Sequence, residues 1–144
     1  MSRIALAAVF LSAAAVATAA FAQPSGGTLV GTWKAPLDDA VIVIAPCGPA
    51  FCGKLTDSTR IRANPDGRDF KNRDVAMRDR RVNGLLMLQG FTGGPTEWKG
   101  GTVYNPDDGG TYTGKITAQG PDTLKLTGCI IFPLCKTQTW TRMK

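Results

Sequence analysis

The stretch WKGGTVYNPDDGGTYTGK, Trp98 to Lys115, decides the fold. Thr96–Tyr104 and Thr111–Thr117 are rich in Thr, Val, Tyr and Trp, residue types that suit a pleated, half-buried surface. Between them Asn105-Pro106-Asp107-Asp108-Gly109-Gly110 supplies tight-turn chemistry. Pro fixes one φ, Asn and Asp cap local amides, and Gly accepts φ > 0. The stretch therefore predicts a β-hairpin with aromatic residues on its strands.

Working outward, the hairpin extends into a meander. Strands are expected at Leu29–Trp33, Ala40–Ala45, Gly53–Thr56 and Leu85–Phe91, then at the hairpin itself, Thr123–Cys129 and Lys136–Arg142. Turn residues separate most of them, including Gly93-Gly94-Pro95 and Gln119-Gly120-Pro121-Asp122. Eight short, evenly spaced strands predict an all-β, antiparallel up-and-down barrel, with a sandwich as the other arrangement. In a barrel, Lys136–Arg142 would close beside Leu29–Trp33, which leaves no free sheet edge. Alternation places Tyr112, Ile116, Leu124 and Leu126 inside and Thr111, Thr113, Thr123, Lys125 and Thr127 outside. The run Ala40–Ala45 (AVIVIA) is apolar at every position and predicts a strand covered on both faces.

The N-terminus carries an export pattern. Arg3 is a short positive region, Ile4 to Val16 is apolar, and Ala20-Phe21-Ala22 fits a signal-peptidase site. Residues 1–22 are therefore expected to be a signal peptide and residues 23–144 a single domain, periplasmic or secreted. No second hydrophobic span follows. The domain is long enough to bury about two-thirds of its unfolded surface. The net charge of +6, +5 once Arg3 leaves, favours anionic lipids or envelope polymers over nucleic acid as partners for an exported chain.

Export makes disulfides the first reading of Cys47, Cys52, Cys129 and Cys135. Local pairing, Cys47 with Cys52 and Cys129 with Cys135, is expected, because each pair brackets a turn, Gly48-Pro49-Ala50 and Ile130-Ile131-Phe132-Pro133. Each short loop would contribute roughly 2 kcal/mol, against about 4–5 for a long-range bridge, so cross-pairing stays open. A zinc site is disfavoured because the chain has no His and the cysteine spacings are wide.

One segment breaks the rhythm. From Arg60 to Arg81 there are eight basic and four acidic residues in a long connection, with a helical turn expected near Val75–Arg81. Arg78 and Arg80 either hold a phosphate or carboxylate or, paired with Asp69 or Asp74, staple this loop to the barrel.

Taken together, Gly31-x-Trp33, Pro46-Cys47-Gly48 with Cys52-Gly53-Lys54, Asp69-x-x-Asn72, Arg78-x-Arg80 with Gly84-Leu85, Trp98-x-Gly100-Gly101, Tyr104-Asn105-Pro106 to Gly109, Thr111-Tyr112 and Thr137-Gln138-Thr139-Trp140-Thr141-Arg142 resemble DUF2147. That is a family of small exported bacterial proteins without an assigned activity. The resemblance covers nearly all of the mature chain and implies a lipocalin-like β-barrel. It carries over no catalytic residue. Members of this kind often read Asn-Pro where this chain has Asn72-Arg73, and many lack the second cysteine pair. Gly31-x-Trp33 with Arg142 also resembles the lipocalin pattern in which an Arg from the last strand packs on a Trp from the first. Such a contact would contribute about 0.5–2 kcal/mol to barrel closure.

The inventory favours binding over catalysis. There is no His, Glu97 is the one Glu, and no nucleophile elbow or phosphate loop is present. The carboxylates Asp66 and Asp69 are the remaining candidates for a hydrolase. Asn105, Asp107 and Asp108 could ligate calcium but are equally what a turn requires. No cofactor is expected. The candidate ligand contacts are Arg78, Arg80, Trp98, Tyr104, Tyr112, Gln138 and Trp140, for a small apolar or anionic envelope molecule. The alternative is a packed interaction protein whose aromatics fill its own core and whose Arg-rich loop touches an anionic surface or a partner.

Overall fold

A computed structural model describes residues 27–144; the signal-peptide expectation for residues 1–22 lies outside the described residues. The strands are β1 (Gly31–Lys34), β2 (Val41–Cys47), β3 (Ala50–Asp57), β4 (Leu86–Gly93), β5 (Glu97–Asn105), β6 (Gly110–Ala118), β7 (Thr123–Ile131) and β8 (Leu134–Arg142). Each pairs antiparallel with its sequence neighbours, and β8 returns to β1 through Trp33–Arg142 and Lys34–Thr141. The sheet is thus a closed eight-stranded up-and-down barrel. Cys47–Cys52 and Cys129–Cys135 are bridged, which settles the connectivity as local.

Alternation builds the interior. Ile116, Leu124 and Leu126 are buried, Thr111, Thr113 and Lys125 are exposed, and Tyr112 is half-buried. Strand β2 corrects one expectation: Ile42 and Ile44 face the core, whereas Val43 is 37% exposed and Ala45 is also exposed. No layer covers the outside of this strand, so its apolar run reflects β-branched propensity and not burial on both faces. Several boundaries also move. Strand β3 begins at Ala50, inside the first disulfide loop. Ile130 and Ile131 continue β7 past the second disulfide, so the connection to β8 is the two-residue tip Phe132-Pro133.

The two ends of the barrel differ. At the end holding the β2–β3, β4–β5 and β6–β7 turns, Leu29 and Trp33 are fully buried. The Arg142 guanidinium lies 4.2 Å from the Trp33 ring centroid. It donates to the carbonyls of Thr28, Val30 (3.0 Å) and Pro121 (2.8 Å), while the Trp33 indole N–H donates to Leu29 O (2.9 Å). One side chain thus ties the N-terminal lead, the last strand and the β6–β7 turn together. The neighbouring position must be Gly31, because a Cβ there would run into the Arg142 guanidinium. Phe51, Phe91 and Trp98 fill the same half. Phe91 packs flat against Gly101 and Gly114, where any Cβ would meet its ring.

The long β3–β4 connection is ordered against the barrel. It contains helix α1 (Thr59–Ala63), capped by Ser58 Oγ accepting from Ile61 N (3.2 Å), and a 3-10 turn at Val75–Met77. Helix α1 is too short to carry a periodicity, whereas the turn read at Pro36-Leu37-Asp38-Asp39 is present, with Asp38 and Asp39 at positive φ (58° and 52°). The docking point is Asp69, whose side chain is fully buried. Its carboxylate accepts from the Tyr104 hydroxyl (2.6 and 2.7 Å), Arg80 Nε (2.9 Å) and Asn72 Nδ2 (2.9 Å). Arg80 also stacks on the Tyr104 ring at 4.7 Å. Tyr104 points outward from β5, beneath the loop, and is 5% exposed. Burial, and then the hydrogen bond to the Asp69 carboxylate, push its hydroxyl pKa up to about 12.

Two outcomes follow from these contacts. Replacing Arg142 with Ala is expected to lower the unfolding free energy by about 3 kcal/mol, combining the lost indole stack and the carbonyl contacts. Lys at this position should restore less than half, because an ammonium lacks the planar fork; urea unfolding measures both. For Tyr104 the folded pKa lies above the unfolded value, so its contribution is complete below the unfolded pKa. It is lost as pH rises through about 12. Urea midpoints across the alkaline range should show a loss of about 2–3 kcal/mol from this group, and Tyr104→Phe should remove that part of the slope.

Candidate functional site

Opposite the Arg142 end the barrel is open. A cavity of about 600 Å³ enters between the Leu37–Asp39 turn, α1, the β5–β6 turn and the β7–β8 tip. That volume suits a small ligand. Its deep wall is apolar and comes from facing strands: Ile42, Leu55, Met87, Val103, Leu126 and Trp140. One position on its wall carries no side chain. Gly128 pairs with Gly114 on β6 and with Lys136 on β8, and a Cβ there would touch nothing but Tyr112 Cβ, at 3.7 Å. Gly114 makes room for Phe91; Gly128, one strand over, makes room for the cavity.

Strand β8 grades the wall from apolar to charged. Pairing sets Trp140 with Leu124, Gln138 with Leu126 and Lys136 with Gly128, so these three β8 residues share the interior face. Trp140 is buried, and its indole N–H donates to Gln138 Oε1 (3.1 Å); Gln138 also lines the cavity. Lys136 sits at the mouth, exposed, and makes no ion pair among the described residues.

Of the rim carboxylates, Asp38 accepts only from Arg60 N (3.4 Å) among the described residues, whereas Asp107 and Asp108 are engaged. Asp107 pairs with Arg60 of α1, and Arg60 also donates to Pro106 O (3.4 Å). Asp108 accepts from the Tyr112 hydroxyl (2.7 Å), Asn105 Nδ2 (3.0 Å) and Gly110 N (2.8 Å). Partial burial disfavours the charged Asp108 carboxyl, but those donors outweigh it and hold its pKa below the usual value. The same carboxylate, together with some burial, raises the Tyr112 hydroxyl. Asn105 Oδ1 accepts from Asp107 N (3.0 Å). The three residues considered for calcium are therefore organised as turn caps around the mouth.

The residues singled out in the sequence separate into two groups. Tyr112, Gln138 and Trp140 come together on the cavity wall, and Tyr104 reaches it from β5 although its hydroxyl is turned outward to Asp69. Trp98, Arg78 and Arg80 lie elsewhere. Trp98 is fully buried in the closed half, and its indole N–H has no hydrogen-bond partner among the described residues. Arg78 Nε donates to Asn72 O (2.8 Å), and Arg80 belongs to the Asp69 staple. Asp66 pairs at the surface with Arg81, while Asp69 is buried under Tyr104, so the two carboxylates have separate partners. Lys136 and Gly128 were missed. A lone Lys on a Thr-rich strand carries no motif, and Gly128 reads as a sheet irregularity until its inward face is known.

No curated protein matches the chain. Among solved structures it is similar to protein HP1028 from the human pathogen Helicobacter pylori, described as belonging to the lipocalin family. The identity is 22% over 81% of this chain and 83% of that one, with a TM-score of 0.70. At that identity the likeness concerns the fold, and it agrees with the closed eight-stranded barrel found here. The two disulfides fit an oxidising compartment. The model of the family described as "Uncharacterized protein conserved in bacteria (DUF2147)" matches residues 31–142, from the glycine beside the closed end to the arginine that seals it, and the chain belongs to that family.

Proposed function

We propose that this protein is a non-enzymatic binder of a small amphiphile, with an apolar tail inside the barrel and an anionic head at the mouth. The observation that carries the reading is the cavity itself, a largely apolar space of about 600 Å³ bordered by Gly128, with an ammonium at its entrance, Lys136, that makes no ion pair among the described residues. An apolar wall releases ordered water when a hydrocarbon chain enters, roughly 25 cal/mol for each Å² covered. The head is selected by charge. Among the charged lining residues Arg60 is paired with Asp107, which leaves Lys136 as the cation open to an anionic head. Gln138 offers a second polar contact partway down.

A packed interaction protein is the competing reading, and the filled closed half fits it. The open half does not, because a barrel that served only as a scaffold would gain stability by filling this space.

Titration with a fluorescent long-chain fatty acid and the matching alcohol tests the proposal. Gly128→Phe has room for its ring in the cavity and an ordinary backbone conformation, so the fold should persist. The substitution should weaken both ligands by about tenfold or more. Lys136→Gln should weaken the acid a few-fold, by roughly the strength of an exposed ion pair, and leave the alcohol unchanged. Equal binding by wild type and Gly128→Phe would rule the cavity out.

A further inference from the structure

The β7–β8 tip is the most exposed apolar segment of the described residues. Ile130 is 74% exposed, Ile131 67%, Phe132 86% and Leu134 64%. Water-facing apolar residues scattered singly are ordinary; a contiguous group of this size marks an interaction site. The tip is also built to stay displayed. Cys129 and Cys135 are register partners and are bridged, which locks the ribbon at its base, and Cys135 N donates to Pro133 O (2.9 Å) within the turn.

We propose that this tip inserts into a lipid surface bearing anionic headgroups, and that the barrel docks mouth-first. Three features select lipid over a protein surface. The exposed residues are consecutive, with Ile130 in a register irregularity next to Ile131, so apolar groups leave the ribbon on more than one side. A folded partner would cover one face, whereas an acyl layer surrounds all of them. The reach is also suitable: three residues of strand beyond the disulfide span roughly 10 Å, the depth of the headgroup and upper acyl region. Finally, charge is complementary. Lys136 lies just behind the tip, and Lys71 and Arg73 lie at the same end, where Lys71 Nζ donates to Asp107 O (2.9 Å) and Arg73 N to Gly109 O (3.3 Å). Phe70, 69% exposed, adjoins Lys71 on that side.

Ile130, Pro133 and Leu134 also line the cavity, so the inserted tip forms one wall of the entrance. An amphiphile would then pass from bilayer to barrel along a continuous apolar path; this transfer step rests on the binding function proposed above, whereas docking does not.

Sedimentation of the purified protein with phosphatidylcholine vesicles, with and without phosphatidylglycerol, tests the docking. Wild type should pellet with the anionic vesicles and be released in part by high salt. The double variant Ile131→Ser, Phe132→Ser alters only exposed side chains, and unchanged near-ultraviolet circular dichroism will confirm its fold. It should partition at least about tenfold more weakly. Any of three results would overturn docking: wild type left in the supernatant with both vesicles, a double variant that pellets like wild type, or a wild-type dimer that the double variant converts to monomer. The last would mean that a second copy covers the tip. The two proposals fail separately, because the vesicle assay contains no cavity ligand and the fatty-acid titration contains no vesicles.

Discussion

The stack of Arg142 on Trp33 is the contact from which the polarity of this barrel follows. An eight-stranded barrel is just wide enough for side chains to fill it, so whether it holds anything depends on which interior positions are large. Here the large ones are gathered at one end. Leu29, Trp33, Phe51, Phe91 and Trp98 occupy the half that Arg142 closes, and Gly31 lets the guanidinium reach its place. Arg142, held by three backbone carbonyls and an indole face, closes over that end, and the cavity opens at the other. The glycines complete the partition: two are required by the Phe91 ring, and the third leaves a void.

How much of this could be read from the sequence follows from the range of each signal. Turn chemistry and two-residue alternation are local, so the strand count and barrel closure were legible, whereas the Trp33–Arg142 contact was implied by the resemblance to lipocalins. The local disulfide pairing was legible too, because each pair flanks a turn. Signals failed where a residue's meaning depends on what crosses the barrel. Trp98 and Trp140 look alike in sequence, yet one is core and the other is cavity wall, since they stand at different heights above the sealed end. The AVIVIA run misled for a related reason. β-branched residues favour strands whether or not anything lies over them, and Val43 simply faces water. At the hairpin tip, Pro133 announced a turn but not its length, and Ile130 and Ile131 extended the ribbon beyond the bridge.

The basic loop shows how charge counts can mislead about function. Its arginines suggested an anion site, but a good share of their charge is spent inside the protein. Arg80 is needed by Asp69, because a fully buried carboxylate without a cation is strongly destabilising. Arg60, Arg62 and Arg81 pair with Asp107, Asp57 and Asp66. The loop therefore acts as a buttress. It covers Tyr104 on the outer wall of β5, fixes the β5–β6 turn through Arg60 and Lys71, and so holds one side of the mouth in place. The cation that matters for a ligand is the one on the cavity lining with no ion pair among the described residues, Lys136, and it lies outside the loop.

These features align along a single axis. From the closed end outward, β8 presents Arg142, Trp140, Gln138 and Lys136 to the interior, and then Leu134 at the tip. Each step of two residues moves from structural seal to apolar wall, polar contact, charge and finally exposed hydrocarbon. Rigidity is distributed in the same order: the Arg142 contacts fix one end, and the Cys129–Cys135 bridge fixes the ribbon just below the tip at the other. A tip that folded back over the mouth would bury its own isoleucines and shut the cavity, an arrangement hydrophobicity alone would favour. The bridge holds β7 and β8 together at the base of the tip, and the register shifts just beyond it, at Ile130. Exposure of the tip and the lining of the entrance thus meet in one ribbon, since Ile130, Pro133 and Leu134 stand beyond the crosslink and also border the cavity.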